Sequence, residues 1–503
     1  MEIGQPDPVA SNESGAQMAK LYCGGCHLFV EPEKLPKAIW ENDVLPAMGN
    51  RLGIYRDSRE YDSISGSLRY ASVVKKANIF PEKPVLAKED WEKLVAYYLQ
   101  NAPKEILPTQ SNIKIKMELK HFKYTEAAFA DRPPLTSMVK ILADQQGIVF
   151  SDSKRNNNSL TFLTPGLEKA YGLRFNDTPI HYWGKGSDFF VTTIGKNVFP
   201  NDFFHGAVYR FRAAESASNR LDGKLWISKL QRPVDMVFAD LDNDGLDDVL
   251  ACEFGDRTGK LAWYQNLGNG KFTQRLLKNT PGAIKAIIKD YNKDGFNDVF
   301  ALMAQGDEGV FYFENSGKGT FTERRLLTFS PLNGSQYFEL ADFNQDGHDD
   351  ILYVCGDNAD KTPILKPYHG SYIFLNDGNL NFEQAYFYPQ NGAYKSMARD
   401  FDLDGDLDIA SISFFPDYLN APEESFVYLE NQGNMTFEVF SFPEAAKGRW
   451  MVMDAGDVDG DGDLDLALGS FVQFLAKGDT TGLSKRWLTD SPSVILLENT
   501  VRQ

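Results

Sequence analysis

Five copies of one nine-residue pattern, Asp-x-Asp/Asn-x-Asp-Gly-x-x-Asp, limit what this 503-residue chain can fold into more than any other feature. They begin at Asp240, Asp290, Asp342, Asp400 and Asp457, so successive copies are offset by 50, 52, 58 and 57 positions. Self-similarity at that period marks stacked supersecondary units, each too small to bury its apolar face alone. Each copy runs into an apolar strand, such as Val249-Leu250-Ala251 or Leu466-Ala467-Leu468. A second signal follows later in the repeat: Asn266, Gly268, Gly270 and Phe272; Asn315, Gly317, Gly319 and Phe321; Asn376, Gly378 and Phe382; Asn431, Gly433 and Phe437. Asn and Gly reach positive φ and close a hairpin there, and the Phe starts another strand. Four strands per repeat make a propeller blade.

Together these features resemble the FG-GAP (VCBS) repeats of integrin-type β-propellers. Two weaker repeats, 137–175 and 179–230, keep the strand spacing without the Asp cluster, and 143–147 reads as its remnant. Two weak and five strong repeats predict seven blades. The last repeat ends near Asn499 without its Gly…Phe signal, while 113–119 alternates like a strand ahead of the first repeat. The expectation is a ring closed by residues of about 113–122, which removes exposed sheet edges.

Alternate residues of a tight loop aim several oxygens at one centre, the Gly allows the sharp turn, and hard oxygen ligands suit Ca²⁺. An EF-hand needs Glu at position twelve; here that position is Ala251, Ala301, Tyr353, Ser411 or Leu468, so EF-hand and dockerin readings fail. The FG-GAP resemblance implies ligation by side chains 1, 3, 5 and 9 and by the backbone carbonyl of residue 7. In this chain those are Asp240, Asp242, Asp244, Leu246 and Asp248; Asp290, Asn292, Asp294, Phe296 and Asp298; Asp342, Asn344, Asp346, His348 and Asp350; Asp400, Asp402, Asp404, Asp406 and Asp408; and Asp457, Asp459, Asp461, Asp463 and Asp465. A chance acidic turn is a fair alternative for one copy and not for five in register. The expectation is about five structural Ca²⁺, each pinning the loop between a blade's first two strands.

The N-terminal hundred residues carry a different pattern. Cys23-Gly24-Gly25-Cys26-His27 is a CxxCH motif, in which two thiols can bond one porphyrin and the adjacent histidine can bind its iron. A zinc or redox site is the alternative, but no second CxxC stands nearby. Residues 14–22 read as a leading helix capped by Ser14, and 36–45 as a helix around Trp40 that stops before Pro46. Trp91, Leu94, Val95, Tyr98 and Leu99 follow the spacing of an amphipathic helix. This layout resembles the small class I cytochromes c, whose first and last helices cross beside one covalent haem c. The resemblance implies Cys23, Cys26 and His27 as haem-binding residues, and Met48, after a proline, as the second axial ligand. Met18 is read as core. The division is a small all-α domain at 1–106, a linker at 107–112 and an all-β propeller at 113–503.

A net charge of −18 excludes a nucleic-acid partner, which needs a basic stripe. Cys252 and Cys355 sit in apolar strand-like runs and read as free, buried and inert. No run of about 18 apolar residues predicts a transmembrane helix. Residues 1–6 lack a basic n-region and an apolar h-region, yet covalent haem attachment takes place outside the bacterial cytoplasm. A removed secretory or lipoprotein leader, a lipid anchor at a processed N-terminus, and a periplasmic or outer-membrane, cell-surface location are the expectations. His181, His205, His348 and His369 read as packed or surface residues, and no nucleophile elbow, HExxH, phosphate loop or nicotinamide fingerprint is present. Loops 202–205 and 414–418 are aromatic and could contact carbohydrate or protein. Two functions follow. One is a non-enzymatic electron carrier that meets a redox protein partner while its propeller docks to a surface ligand. The other is a fused oxidoreductase or carbohydrate-active enzyme, active at the propeller with haem c as acceptor. Convergent charged groups in the central channel would favour the second, an apolar plug the first.

Overall fold

Strands that begin at the ninth residue of each Asp pattern are buried along their whole length: Asp248–Glu253, Asp298–Met303, Asp350–Cys355, Asp408–Ser413 and Asp465–Ser470. Both faces of such a strand lie against neighbouring sheets, which is why these segments read as continuous apolar runs and not as alternation. The computed structural model describes residues 8–65, 71–106, 113–129, 131–154, 156–212, 223–358, 364–473 and 479–502. From residue 122 onward the chain builds seven four-stranded antiparallel sheets, one of which gains a fifth, parallel strand from Ile115–Met117. The blades occupy 136–175, 179–230, 233–278, 283–328, 335–389, 393–441 and 450–499. The first strand of each blade touches the first strands of both neighbours all the way round, so these seven strands surround the axis of a closed ring. The outer strands, such as Phe272–Lys278 and Phe321–Thr328, are mostly exposed.

The seam differs from expectation in one respect. The seventh blade is completed by Phe122–Glu126, antiparallel to Val494–Asn499 with Phe122 opposite Asn499. Ile115–Met117 instead adds a fifth strand to the sixth blade, parallel to Phe437–Ser441. Its alternation suits an edge, where one side stays in water, and Lys116 pairs there with Glu438 at 2.7 Å. The seam needs a buried anchor, and Phe122 supplies it against Phe401 and Tyr428, with ring centroids 5.8 and 5.4 Å away.

The N-terminal region is a set of short helices: α1 (Gly15–Cys23), α2 (Lys37–Ile39), α3 (Leu45–Arg51), α4 (Ser58–Ser65), α5 (Ala71–Lys76) and α6 (Lys88–Asn101). Ser14 caps α1 and Gln17 returns the bond to the Ser14 amide. α1 crosses α6 so closely that a Cβ on Gly15 would lie 2.3 Å from the Lys93 carbonyl oxygen. The helix around Trp40 does not stop before Pro46. A π-turn over Trp40–Val44 carries it into α3, with the Leu45 amide donating to the Trp40 carbonyl. The widened turn gives room for the proline ring, which has no N–H to contribute. Met18, Trp40, Leu45, Leu94 and Tyr98 form the core of this region. Tyr98 donates to the Val30 carbonyl (2.9 Å) and Trp40 to the Pro32 carbonyl (2.8 Å). The 107–112 linker lies outside the described residues.

Candidate functional site

The five Asp loops share one geometry. In each, the fourth and sixth residues adopt positive φ; the sixth is Gly at +87 to +100°, where a side chain would be strained. The first Asp accepts from the Gly amide, as in Gly245 to Asp240 (2.8 Å) and Gly347 to Asp342 (2.8 Å). The fifth accepts from the amide of residue 7: Leu246, Phe296, His348, Asp406 and Asp463 donate at 2.8–3.2 Å. These bonds curl the loop so that carboxylates converge. Ligand oxygens of Asp240, Asp242 and Asp248 lie within 4.8 Å of one another, as do those of Asp400, Asp402 and Asp404, and those of Asp457, Asp459 and Asp465. In the other two loops Asn292 and Asn344 turn an amide N–H toward Asp294 (3.0 Å) and Asp346 (2.9 Å), so one carboxylate fewer faces the centre.

The ninth Asp does more than the sequence suggested. One oxygen accepts from the amide of loop residue 2 (Leu241, Tyr291, Phe343, Phe401 or Val458) at 2.8–3.2 Å. The other accepts from the amide of the Asn that ends the blade's third strand (Asn266, Asn315, Asn376, Asn431 or Asn499) at 2.7–2.9 Å. In sequence, Asn266, Asn315, Asn376 and Asn431 read as turn residues alone and Asn499 as the end of the last repeat; the recurrence of an Asn downstream of every Asp pattern is the signal for this role. Burial pushes the carboxyls of Asp248, Asp408 and Asp465 up to about 6, 7 and 7. A carboxylate keeps lone pairs beyond two such bonds, so residue 9 remains able to ligate.

At the other end of the chain, Cys23 closes α1, and Cys26 and His27 lie on the turn that follows. Neither thiol is in a disulfide, and burial pushes the Cys23 thiol up. The Nδ1 of His27 lies 2.9 Å from the Leu28 carbonyl oxygen; with the proton there, Nε2 is left as the acceptor nitrogen. Met18 is buried in the helical core and Met48 is half-buried on α3. One turn beyond Met48, Arg51 is within electrostatic reach of Cys26 and, from the propeller, of Arg257, Asp256 and Asp202. Leu332 and Ile364 pack on the helical core, and the Arg257 guanidinium sits 5.6 Å from the Phe80 ring. These propeller residues lie in loops between a blade's second and third strands or between blades. The helices therefore rest on the face opposite the Asp loops, which join first and second strands.

Cys252 and Cys355 are buried and unpaired. His348 packs over Gly378 as Phe296 does over Gly317, a structural place in its loop. His369 is buried, and burial takes it down to about 3. In the 202–205 loop Asp202 is buried and accepts from the amides of Asp256, Arg257 and Thr258, tying two blades together. Phe414 and Phe415 stack under Arg449, 3.9 and 5.2 Å from its guanidinium. Loop 414–418 is thus bound into the propeller face. The channel is not an apolar plug: His181, Asp235, Lys285, Tyr337, Glu339, Lys395 and Asp454 all lie on innermost strands. Among the described residues, no helix is long and apolar enough to cross a membrane.

No curated protein matches the chain in sequence. Among solved structures, virginiamycin B lyase from Staphylococcus aureus superimposes with a TM-score of 0.45 at 10% identity, covering 75% of this chain and 98% of that one. BBS1N in complex with ARL6DN gives a TM-score of 0.45 at 9% identity, covering 76% and 98%. The family model described as "FG-GAP-like repeat" matches residues 240–301, 290–353 and 400–468. Each match runs from the Asp loop of one blade to the buried second strand of the next. The chain carries FG-GAP-like repeats within a seven-bladed β-propeller.

Proposed function

We propose that this protein is an extracytoplasmic electron carrier, with haem c on the helical region and a calcium-stabilised propeller that docks it to a partner or surface ligand. The observation that carries the reading is the turn after α1, where two unpaired thiols precede a histidine whose Nδ1 is engaged by a backbone carbonyl. Cys23 and Cys26 would hold the haem and His27 would ligate its iron through Nε2. Met48 is the proposed second ligand. When bound, the haem supplies one-electron transfer, and a Met/His pair favours that over small-molecule chemistry. The chain's own residues do the positioning. The α1–α6 crossing fixes α1, Tyr98 and Trp40 brace it, and Arg51 offers a cation within electrostatic reach of Cys26.

The converging carboxylates of three loops, and the shared curl of the other two, support the calcium part, since unneutralised acid clusters repel and hard oxygens suit that ion. The charged channel favours a second reading, a propeller that takes a small ligand. Its carboxylates are each committed to an amide and a base of a neighbouring blade, which suits binding better than acid–base turnover.

The test is co-expression with a cytochrome c maturation system and a pyridine haemochrome spectrum of the purified chain. One covalent haem per chain is expected, lost in Cys23→Ala/Cys26→Ala. Met48→Ala should abolish the weak red band of a Met–Fe(III) bond and leave the covalent haem in place. A wild-type chain that leaves maturation without haem would sink the electron-carrier reading.

A further inference from the structure

In every blade the first strand shifts register against the second between its first and third residues. A bulge re-aims the side chain that follows it. Because these strands surround the axis, the residues just after the bulges fall at one level around it; in the first and seventh blades they are Met138 and Val452, which pack into the apolar clusters between blades. In five consecutive blades that residue is His181, Asp235, Lys285, Tyr337 and Lys395.

The charges in and beside this layer pair from blade to blade. Asp235 of the third blade accepts from the Ala286 amide (3.0 Å) and pairs with Lys285 (3.2 Å) of the fourth. Glu339 of the fifth accepts from the Ala398 amide (3.0 Å) and pairs with Arg399 (3.0 Å) of the sixth, and it also accepts from the Tyr337 hydroxyl (2.9 Å). Asp454 of the seventh accepts from the Ile141 amide (2.9 Å) and pairs with Lys140 (2.9 Å) of the first. An acid-to-base alternation cannot close around an odd ring. The second blade is left over, and it carries His181, whose Nδ1 is buried without a hydrogen-bond partner.

One cation is also left over. The Lys395 ammonium donates to the Met453 carbonyl (2.7 Å) and lies 4.8 Å from the centre of the Tyr337 ring, and no carboxylate among the described residues forms an ion pair with it. Lys285 sits 5.8 Å from the same ring centre. Burial lowers Lys395 to about 8, with Lys285 and Lys140 adding to the effect and Asp454 and Glu339 opposing it. Burial also lowers His181 to about 4, against Asp235 and with Lys285 and Lys140. A net cationic channel thus runs through a chain of charge −18. Lys395 is half-buried, and an ammonium withdrawn from water without a carboxylate partner is costly unless a counter-charge joins it.

We propose that the channel is a binding site for a small oxyanion, a carboxylate or an inorganic oxyanion, held between Lys285 and Lys395 with His181 as a third polar contact. The proposal is independent of the haem and calcium readings. Charge selects the ligand, since Lys395 lacks a carboxylate among the described residues. The experiment is isothermal titration of the full chain, in calcium-containing chloride buffer at constant ionic strength, with sulfate and acetate as probes. At least one probe should bind saturably to the wild type. Lys395→Met should weaken that binding about tenfold or more and, with the unpaired charge gone, should raise the melting temperature measured without the probe. Lys395→Arg should retain binding, and His181→Phe should weaken it several-fold. Failure of both probes to bind the wild type overturns the proposal, and so does binding that Lys395→Met leaves unchanged.

Discussion

Phe122 pairs with Asn499 across the seam of the propeller, joining a strand from early in the chain to the last one. The Asn499 amide also donates to Asp465, so seam and last Asp loop share one hydrogen-bond system. Deleting 1–106 should leave a propeller that melts cooperatively and stays monomeric. Deleting 1–126 removes the fourth strand of the seventh blade and exposes an edge that pairs with other chains. Calorimetry and light scattering of the two truncations check this; identical melting and mass would place the closing contact elsewhere.

Calcium should bind in two classes. The loops at 240–248, 400–408 and 457–465 offer the fuller set of carboxylates, while Asn292 and Asn344 remove one each from the other two. Those two should be weaker, within or near the ~10⁻⁴–10⁻³ M range of extracellular sites. Asn292→Asp and Asn344→Asp should tighten them. Chelation should lower the melting temperature, because ions that bind only the folded state stabilise it by mass action. Fewer than about three ions bound at millimolar calcium would leave the converging carboxylates without their counter-ion.

Gly15→Val should loosen the helical region without touching the ring. Its side chain would meet the Lys93 carbonyl and the Tyr97 Cβ, so α1 has to move off α6. Overpacking of this kind costs on the order of 1–3 kcal/mol. Hydrogen exchange should speed up across Lys88–Asn101 and remain unchanged in the propeller strands. Equal protection of α6 in both proteins would mean the crossing is not held by that contact.

Acid should destabilise the fold partly through two histidines. Burial depresses His369 to about 3 and His181 to about 4, from an ordinary value of 6.5. A base whose folded pKa is depressed gives its full contribution above 6.5. That contribution is lost as pH falls through 6.5 toward the folded values, because the unfolded chain then takes up protons that the folded one refuses. Each histidine can add up to about 1.4 kcal/mol per pH unit to the slope. His369→Gln should flatten stability between about pH 6.5 and about pH 4 in denaturant titrations at constant calcium. A slope as steep as that of the wild type would show that His369 takes up its proton in the folded state as readily as in the unfolded one.

The number of blades was legible in the sequence because each repeat writes its own turn chemistry. The Gly at the sixth loop position and the Asn-Gly hairpins need positive φ, and few residues supply it cheaply. The buried second strands were legible as apolar runs for a similarly local reason. The capped α1 and the amphipathic α6 followed from side-chain spacing. The rest depended on contacts between distant segments. Alternation in 113–119 announced a strand but carried no information about its partner, and packing of Phe122 against Phe401 and Tyr428 decided that the seam is formed by 122–126. Pro46 announced a helix stop, and a π-turn removed the clash. The partner of each ninth Asp ends the blade's third strand, 17 to 34 residues downstream. The channel is the clearest case. His181, Lys285 and Lys395 are unremarkable one by one in the sequence. Ring closure sets them in one layer, and an odd number of blades leaves Lys395 and His181 without the partners their neighbours have.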